Sequence, residues 1–127
     1  MPLSRQEVHG IDALRAVVSA LKDKKVFILF TGSHVNGKSW CPDCVAAEPV
    51  VESVLSTDPI KSLDIAFITC FVGDLPYWKD PKCPFRTEPD LKLTCVPTLI
   101  EHGSKHKRLL DEQLTNSHLI KDLLTDE

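Results

Sequence analysis

The sequence predicts a three-layer α/β fold, a central mixed β-sheet flanked by helices. Three observations lead to it. Val26–Phe30 is a continuous apolar run of strand length, and Asp64–Val72 supplies a second β-rich run. Runs apolar on both faces suit strands buried in a parallel-type sheet. Helical stripes alternate with these runs, and such alternation builds helix layers on a sheet. Finally, Cys41 and Cys44 are separated by two residues where the first strand gives way to a helix.

The elements follow in order. Glu7-Val8-His9 reads as a short edge strand. Ile11, Leu14, Val17, Val18 and Leu21 form the apolar stripe of an amphipathic helix. The Val26 strand comes next, then a Gly/Ser/Asn loop from Gly32 to Ser39. The following helix carries Val50, Val51, Val54 and Leu55 at helical spacing. Pro42 falls just inside its start, where a missing N–H costs little. Pro49 lies within it and predicts a kink. The second strand ends at Gly73-Asp74. Residues 75–92 hold four of the nine prolines and read as loop with short helical turns. Thr98–Glu101 and Lys107–Leu110 read as strands joined by a hairpin at His102-Gly103-Ser104-Lys105. Leu114, His118, Leu119, Leu123 and Leu124 mark a final helix.

Composition narrows the function. A chain of 127 residues with 43% hydrophobic content suits one domain spanning 1–127. The formal net charge of -3 gives no electrostatic case for binding nucleic acid or an anionic membrane. No apolar run approaches the length of a membrane span. The segment Met1–Glu7 lacks the apolar core of a signal peptide, and Leu124–Glu127 is not an ER-retention signal. Five cysteines, an odd number, cannot all pair within one chain. Together these features predict a cytoplasmic protein with thiols reduced at rest and any disulfide transient, and an exposed dithiol on a small α/β domain is compatible with a monomer.

The Trp40-Cys41-Pro42-Asp43-Cys44 segment carries the chemistry. A helix N-terminus offers free N–H donors and the positive end of the backbone dipole. A thiol placed there loses its proton more easily, and the thiolate is the nucleophile of disulfide exchange. Two rivals are weaker. Gly32–Ser39 matches the phosphate-loop pattern GxxxxGKS, but Pro42 would break the helix that motif requires, and no second strand ends in a magnesium-binding acid. Tetrahedral zinc needs two cysteine pairs, or one pair with two close histidines. Cys70 lies in a strand, Cys83 and Cys95 lie on separate loops, and nothing completes a ligand set around His34. Cys70 reads as a small buried apolar residue, and His9, His102, His106 and His118 as surface or edge residues.

Further motifs make a resemblance specific. WCxxC at a strand-to-helix junction, Pro49 five residues beyond, and Val96-Pro97-Thr98 before a strand together resemble the thioredoxin fold. Phe30-Thr31-Gly32-Ser33, Gly37–Cys44, Val72-Gly73-Asp74 and Pro76-Tyr77-Trp78-Lys79-Asp80-Pro81 resemble one branch of it, the 14-kDa thioredoxin-related family. The resemblance implies a disulfide reductase, binding no cofactor itself and recharged by NADPH through thioredoxin reductase. It implies disulfide-containing proteins or small disulfides such as cystine as substrates. Peroxide-scavenging activity and a role in inflammatory signalling are also attributed to that family.

By matching positions, the resemblance makes Cys41 the more exposed nucleophile and Cys44 the resolving thiol. Pro42 and Asp43 tune the redox potential, Pro97 is the cis proline facing the dithiol, and Trp40 and Val96 frame the substrate groove. Core packing is an equal reading for Trp40. Thioredoxin carries a buried acid in the strand before the dithiol; Ile28-Leu29-Phe30 here is wholly apolar. Asp43 taking over that role predicts slower turnover in Asp43→Asn. Cys83 and Cys95 are departures that allow a second disulfide or oxidative regulation. The alternatives to a thioredoxin-type reductase are a glutathione-linked glutaredoxin and a redox-sensing adaptor without turnover.

Overall fold

A computed structural model describes residues 3–125. The expected domain span reaches beyond these at residues 1, 2, 126 and 127, and so do the readings of the two chain ends. The reading of His106 falls on a side chain outside the described ones. In chain order the elements are β1 (Ser4–His9), α1 (Ile11–Ala20), β2 (Lys25–Thr31), β3 (His34–Val35), β4 (Lys38–Ser39), α2 (Pro42–Leu55), β5 (Ile65–Phe71), α3 (Leu75–Lys79), α4 (Pro84–Thr87), β6 (Thr98–Glu101), β7 (Ser104–Leu110) and α5 (Ser117–Thr125).

The sheet has the order β1-β5-β2-β6-β7. β1, β5 and β2 run parallel, while β6 and β7 are antiparallel to their neighbours. The sheet is therefore mixed, as expected. The two apolar runs became its centre because each must bury both faces. Alternate residues of β2 point to opposite sides. Val26, Ile28 and Phe30 pack with Leu14 of α1, Phe85, Leu91 and Leu93 on one face. Phe27 and Leu29 pack with Val51 and Val54 of α2 and Ile120 of α5 on the other. Helices on both sides complete three layers.

Several boundaries differ from the sequence reading. β1 spans six residues rather than three, because a parallel edge strand gains backbone hydrogen bonds without needing an apolar pattern. α2 spans Pro42–Leu55 and carries Pro49 inside it, as the sequence reading placed it. β7 begins at Ser104, so the turn is the two residues His102-Gly103, with Gly103 at φ 86°. The final helix splits: a 3-10 turn at Asp111–Thr115 precedes α5. Asn116 divides them, its Oδ1 accepting from the N–H groups of His118 and Leu119 at 3.0 and 3.3 Å.

The expected loop at Gly32–Ser39 contains the β3–β4 hairpin. Its turn is Asn36-Gly37, at φ 56° and 82°, the two positive angles of a type I′ turn. That hairpin delivers the chain to α2. The dithiol thus sits where β2 ends and α2 begins.

Candidate active site

Cys41 is the N-cap of α2, with extended backbone at φ -98° and ψ 112°. Its sulfur accepts the N–H of Cys44 at 3.2 Å, satisfying one of the donors a helix start leaves free. Ser39 holds the position: its hydroxyl donates to the Gly32 carbonyl at 3.1 Å and accepts the Cys41 N–H at 3.2 Å. Pro42 occupies the first helical position. Cys41 and Cys44 are three residues apart and so share one helix face.

Cys41 is 5% exposed and Cys44 is fully buried. Cys41 is the more accessible of the two, by a narrow margin. Its thiol donates to the Val96 carbonyl at 3.5 Å, and the Val96–Pro97 bond is cis. The Val96 carbonyl therefore meets the dithiol across 55 positions of sequence. Cys44 accepts the Gly32 N–H at 3.4 Å, and Thr31 lies close enough to influence its thiol. Burial pushes the Cys44 thiol up to about 12, and its hydrogen bond with Cys41 acts in the same direction. Thr31 and Gly32 pull it back down.

Trp40 is half-buried beside the dithiol. Its Nε1 donates to the Gly73 carbonyl at 2.8 Å. A Cβ on Gly32 would stand 2.7 Å from Trp40 Cε2, so only glycine lets the indole lie there. Gly73, at φ 110°, turns the chain into α3, and a Cβ there would meet the Tyr77 ring at 2.8 Å. Tyr77 and Leu75 of α3 are exposed near this turn.

Pro42 and Asp43 are both exposed on the first turn of α2. No hydrogen bond joins the Asp43 carboxylate to either thiol. Lys38 is exposed on β4. Cys70 is fully buried, and burial alone pushes its thiol up to about 12. Cys83 is buried in the same cluster as Trp78 and Phe85. Cys95 is half-buried, 3.7 Å from the Thr98 hydroxyl, and burial raises its pKa. All five cysteines are free thiols.

Two neighbours of the dithiol escaped the sequence reading. Thr31 is fully buried at the end of β2, and its hydroxyl donates to Glu48 Oε1 at 3.4 Å. The same Oε1 lies 3.3 Å from His34 Nε2. The one sequence signal was the four-residue spacing of Cys44 and Glu48, which stacks them on one face of α2. Among the described residues no group of three His, Cys, Asp or Glu could hold a metal ion. No helix among them is long and apolar enough to cross a membrane.

Comparison with known proteins places this geometry. The family model for the thioredoxin domain of thioredoxin domain-containing protein 17-like proteins matches residues 7–126. Thioredoxin domain-containing protein 17 of Danio rerio is 43% identical over 121 residues, covering 94% of each chain. The Homo sapiens protein of that name is 41% identical with the same coverage. Thioredoxin-like protein Clot of Arabidopsis thaliana is 41% identical, covering 95% of this chain and 86% of the relative. The crystal structure of Trxlp from Edwardsiella tarda aligns with a TM-score of 0.58 at 16% identity, over 93% of this chain and 98% of that one. That last likeness is one of fold, and the fold is thioredoxin-like.

Proposed function

Because the chain belongs to the thioredoxin domain-containing protein 17-like family, we propose that it is a dithiol–disulfide oxidoreductase working as a disulfide reductase. The observation that carries this reading is the Cys41 sulfur. It caps α2, one turn from a second thiol, beside the Val96 carbonyl.

Cys41 attacks the substrate disulfide as thiolate, releasing one substrate thiol and forming a mixed disulfide. Cys44 then attacks the Cys41 sulfur, releases the second thiol and leaves a Cys41–Cys44 bond. Pro42 and Asp43 tune the potential by setting the first helical turn and its local charge. The Val96 backbone pairs with substrate, and Pro97 and Trp40 wall the groove. Substrates are disulfide-containing proteins or small disulfides such as cystine. Electrons come from NADPH through thioredoxin reductase as partner, and no cofactor binds the chain. Peroxide fits the same pair, with Cys41 passing through a sulfenic acid that Cys44 condenses to the disulfide. A cytoplasmic monomer suits a dithiol that must be reduced between turnovers.

The test is NADPH consumption with thioredoxin reductase and cystine. The native protein is expected to turn over, and Cys41→Ser to be inactive. Native-like turnover in Cys41→Ser would refute the assignment. Turnover that needs glutathione and glutathione reductase would favour the glutaredoxin reading. Partner affinity that changes with oxidation, without turnover, would favour the adaptor.

A further inference from the structure

Cys44 is poorly suited to the second step as it stands. It is fully buried and its thiol is held neutral well above physiological pH. Resolution needs the thiolate. Something must take the proton, and β2 carries no acid behind it: Val26–Phe30 is apolar throughout.

The acid comes from the other side. Glu48 sits one turn below Cys44 on α2. Thr31 lies beside them, fully buried, donating to Glu48 Oε1 and close enough to the Cys44 thiol to lower its pKa. Beyond Glu48 opens a cavity of about 220 Å³ that reaches β1 and β5. His34 stands at its mouth, 3.3 Å from Glu48 Oε1 and edge-on to Phe71 at 5.3 Å. The charged groups facing Glu48 there are His34, Arg5, Glu7 and Glu52, and Arg5 is already held by Glu52.

We propose that Thr31 and Glu48 form a proton relay that deprotonates Cys44 for the resolving step, with His34 and the cavity as its outlet to solvent. The proposal rests on the reductase reading. As Cys44 attacks, its proton passes to Thr31 Oγ1 while the Thr31 hydroxyl proton moves to Glu48 Oε1. The sulfur electron pair forms the bond to Cys41, and the Cys41–substrate bond breaks. The substrate sulfur leaves as thiolate and takes a proton from water. Glu48 returns its proton through the cavity. Two influences that hold Cys44 neutral, the hydrogen bond and the charge of Cys41, vanish once Cys41 is bonded to substrate. The relay therefore acts at the step that needs it. Thr31 touches the reacting atom; Glu48 works through Thr31 and is a positioning base.

The experiment is a single turnover of the reduced full chain against a symmetric chromogenic aryl disulfide across pH 6 to 9. Two thiolates are released in sequence, the first by Cys41 and the second by Cys44. In Glu48→Gln the first phase is expected to keep its rate. The second is expected to slow at least about a hundredfold, the low end of what a positioned base contributes. It should then climb steeply with pH, because hydroxide replaces the relay. Thr31→Val should behave alike, and Thr31→Ser, which keeps the hydroxyl, should restore the second phase. A second phase of native rate in Glu48→Gln would overturn the relay and leave the reductase standing. So would a slowed phase with an unchanged pH profile, which is what mere loosening of α2 produces. Absence of the first phase in the unsubstituted protein would overturn the reductase reading and the relay with it.

Discussion

Replacing Gly32 with alanine should strike the dithiol through packing alone. The backbone there is not left-handed, so the substitution adds no conformational strain of its own. The new methyl would meet Trp40 Cε2 at 2.7 Å, Trp40 Cζ2 at 2.9 Å and Ser39 Oγ at 3.1 Å. The indole cannot swing clear without lengthening its bond to the Gly73 carbonyl. Ser39 cannot yield without disturbing the Cys41 N–H it accepts. Overpacking costs about 1–3 kcal/mol, and a weakened hydrogen bond adds at most about 1 kcal/mol. A central value of about 2 kcal/mol corresponds to a fall in Tm of about 7 °C for a chain this long. Thermal unfolding followed by circular dichroism measures the loss, and tryptophan emission reports the displaced indole. Gly32→Ala combined with Trp40→Phe, a smaller ring, should cost less than the two single changes added together, because the clash has one source. A Tm within about 1 °C of native with unchanged emission would refute the reasoning.

Two further outcomes follow from the core. Phe85→Ala removes a fully buried ring packed edge-on to Phe30 at 5.9 Å, and should cost about 3–5 kcal/mol by denaturant unfolding; a loss below about 1 kcal/mol would contradict the packing. Cys70 predicts an alkaline limit: its folded pKa is raised from 9.0 to about 12, so the unfolded chain loses its proton first and stability falls as pH rises from 9 toward 12. Cys70→Ala should flatten that slope between pH 9 and 11 in parallel unfolding measurements, and an unchanged slope would assign the alkaline loss elsewhere.

The sequence was most legible where burial decides. Phe27, Phe30, Phe67 and Ile68 had to go inside, so β2 and β5 were visible as apolar runs. Pro42 marked the start of α2 because few helix positions accept it. Backbone-driven structure was less visible. β1 is largely exposed and polar, and its pairing with β5 rests on hydrogen bonds that every residue can make. The β3–β4 hairpin is two residues a side and almost wholly exposed, so no alternation betrayed it; its Asn36-Gly37 turn was the one available signal. The dithiol was readable because its two residues are close in sequence. Val96 entered only through the family resemblance, and Thr31 and Gly73 were not singled out, because all three reach the dithiol only through the fold. Glu48 was hidden in plain view, an ordinary glutamate on an amphipathic helix.

The 55 positions between Cys41 and the Val96 carbonyl also have a temporal meaning. A ribosome adding roughly 5–20 residues per second completes the dithiol about 3–10 s before it makes the residue that covers Cys41. During that interval β6 does not exist, and β2 lacks its antiparallel neighbour. Cys70, Cys83 and Cys95 are made within the same window, with no sheet yet complete to bury them. The nascent chain thus carries all five thiols before the residue that covers Cys41 exists. Any disulfide formed in that interval would have to be reopened before the chain could reach a fold in which all five cysteines are free.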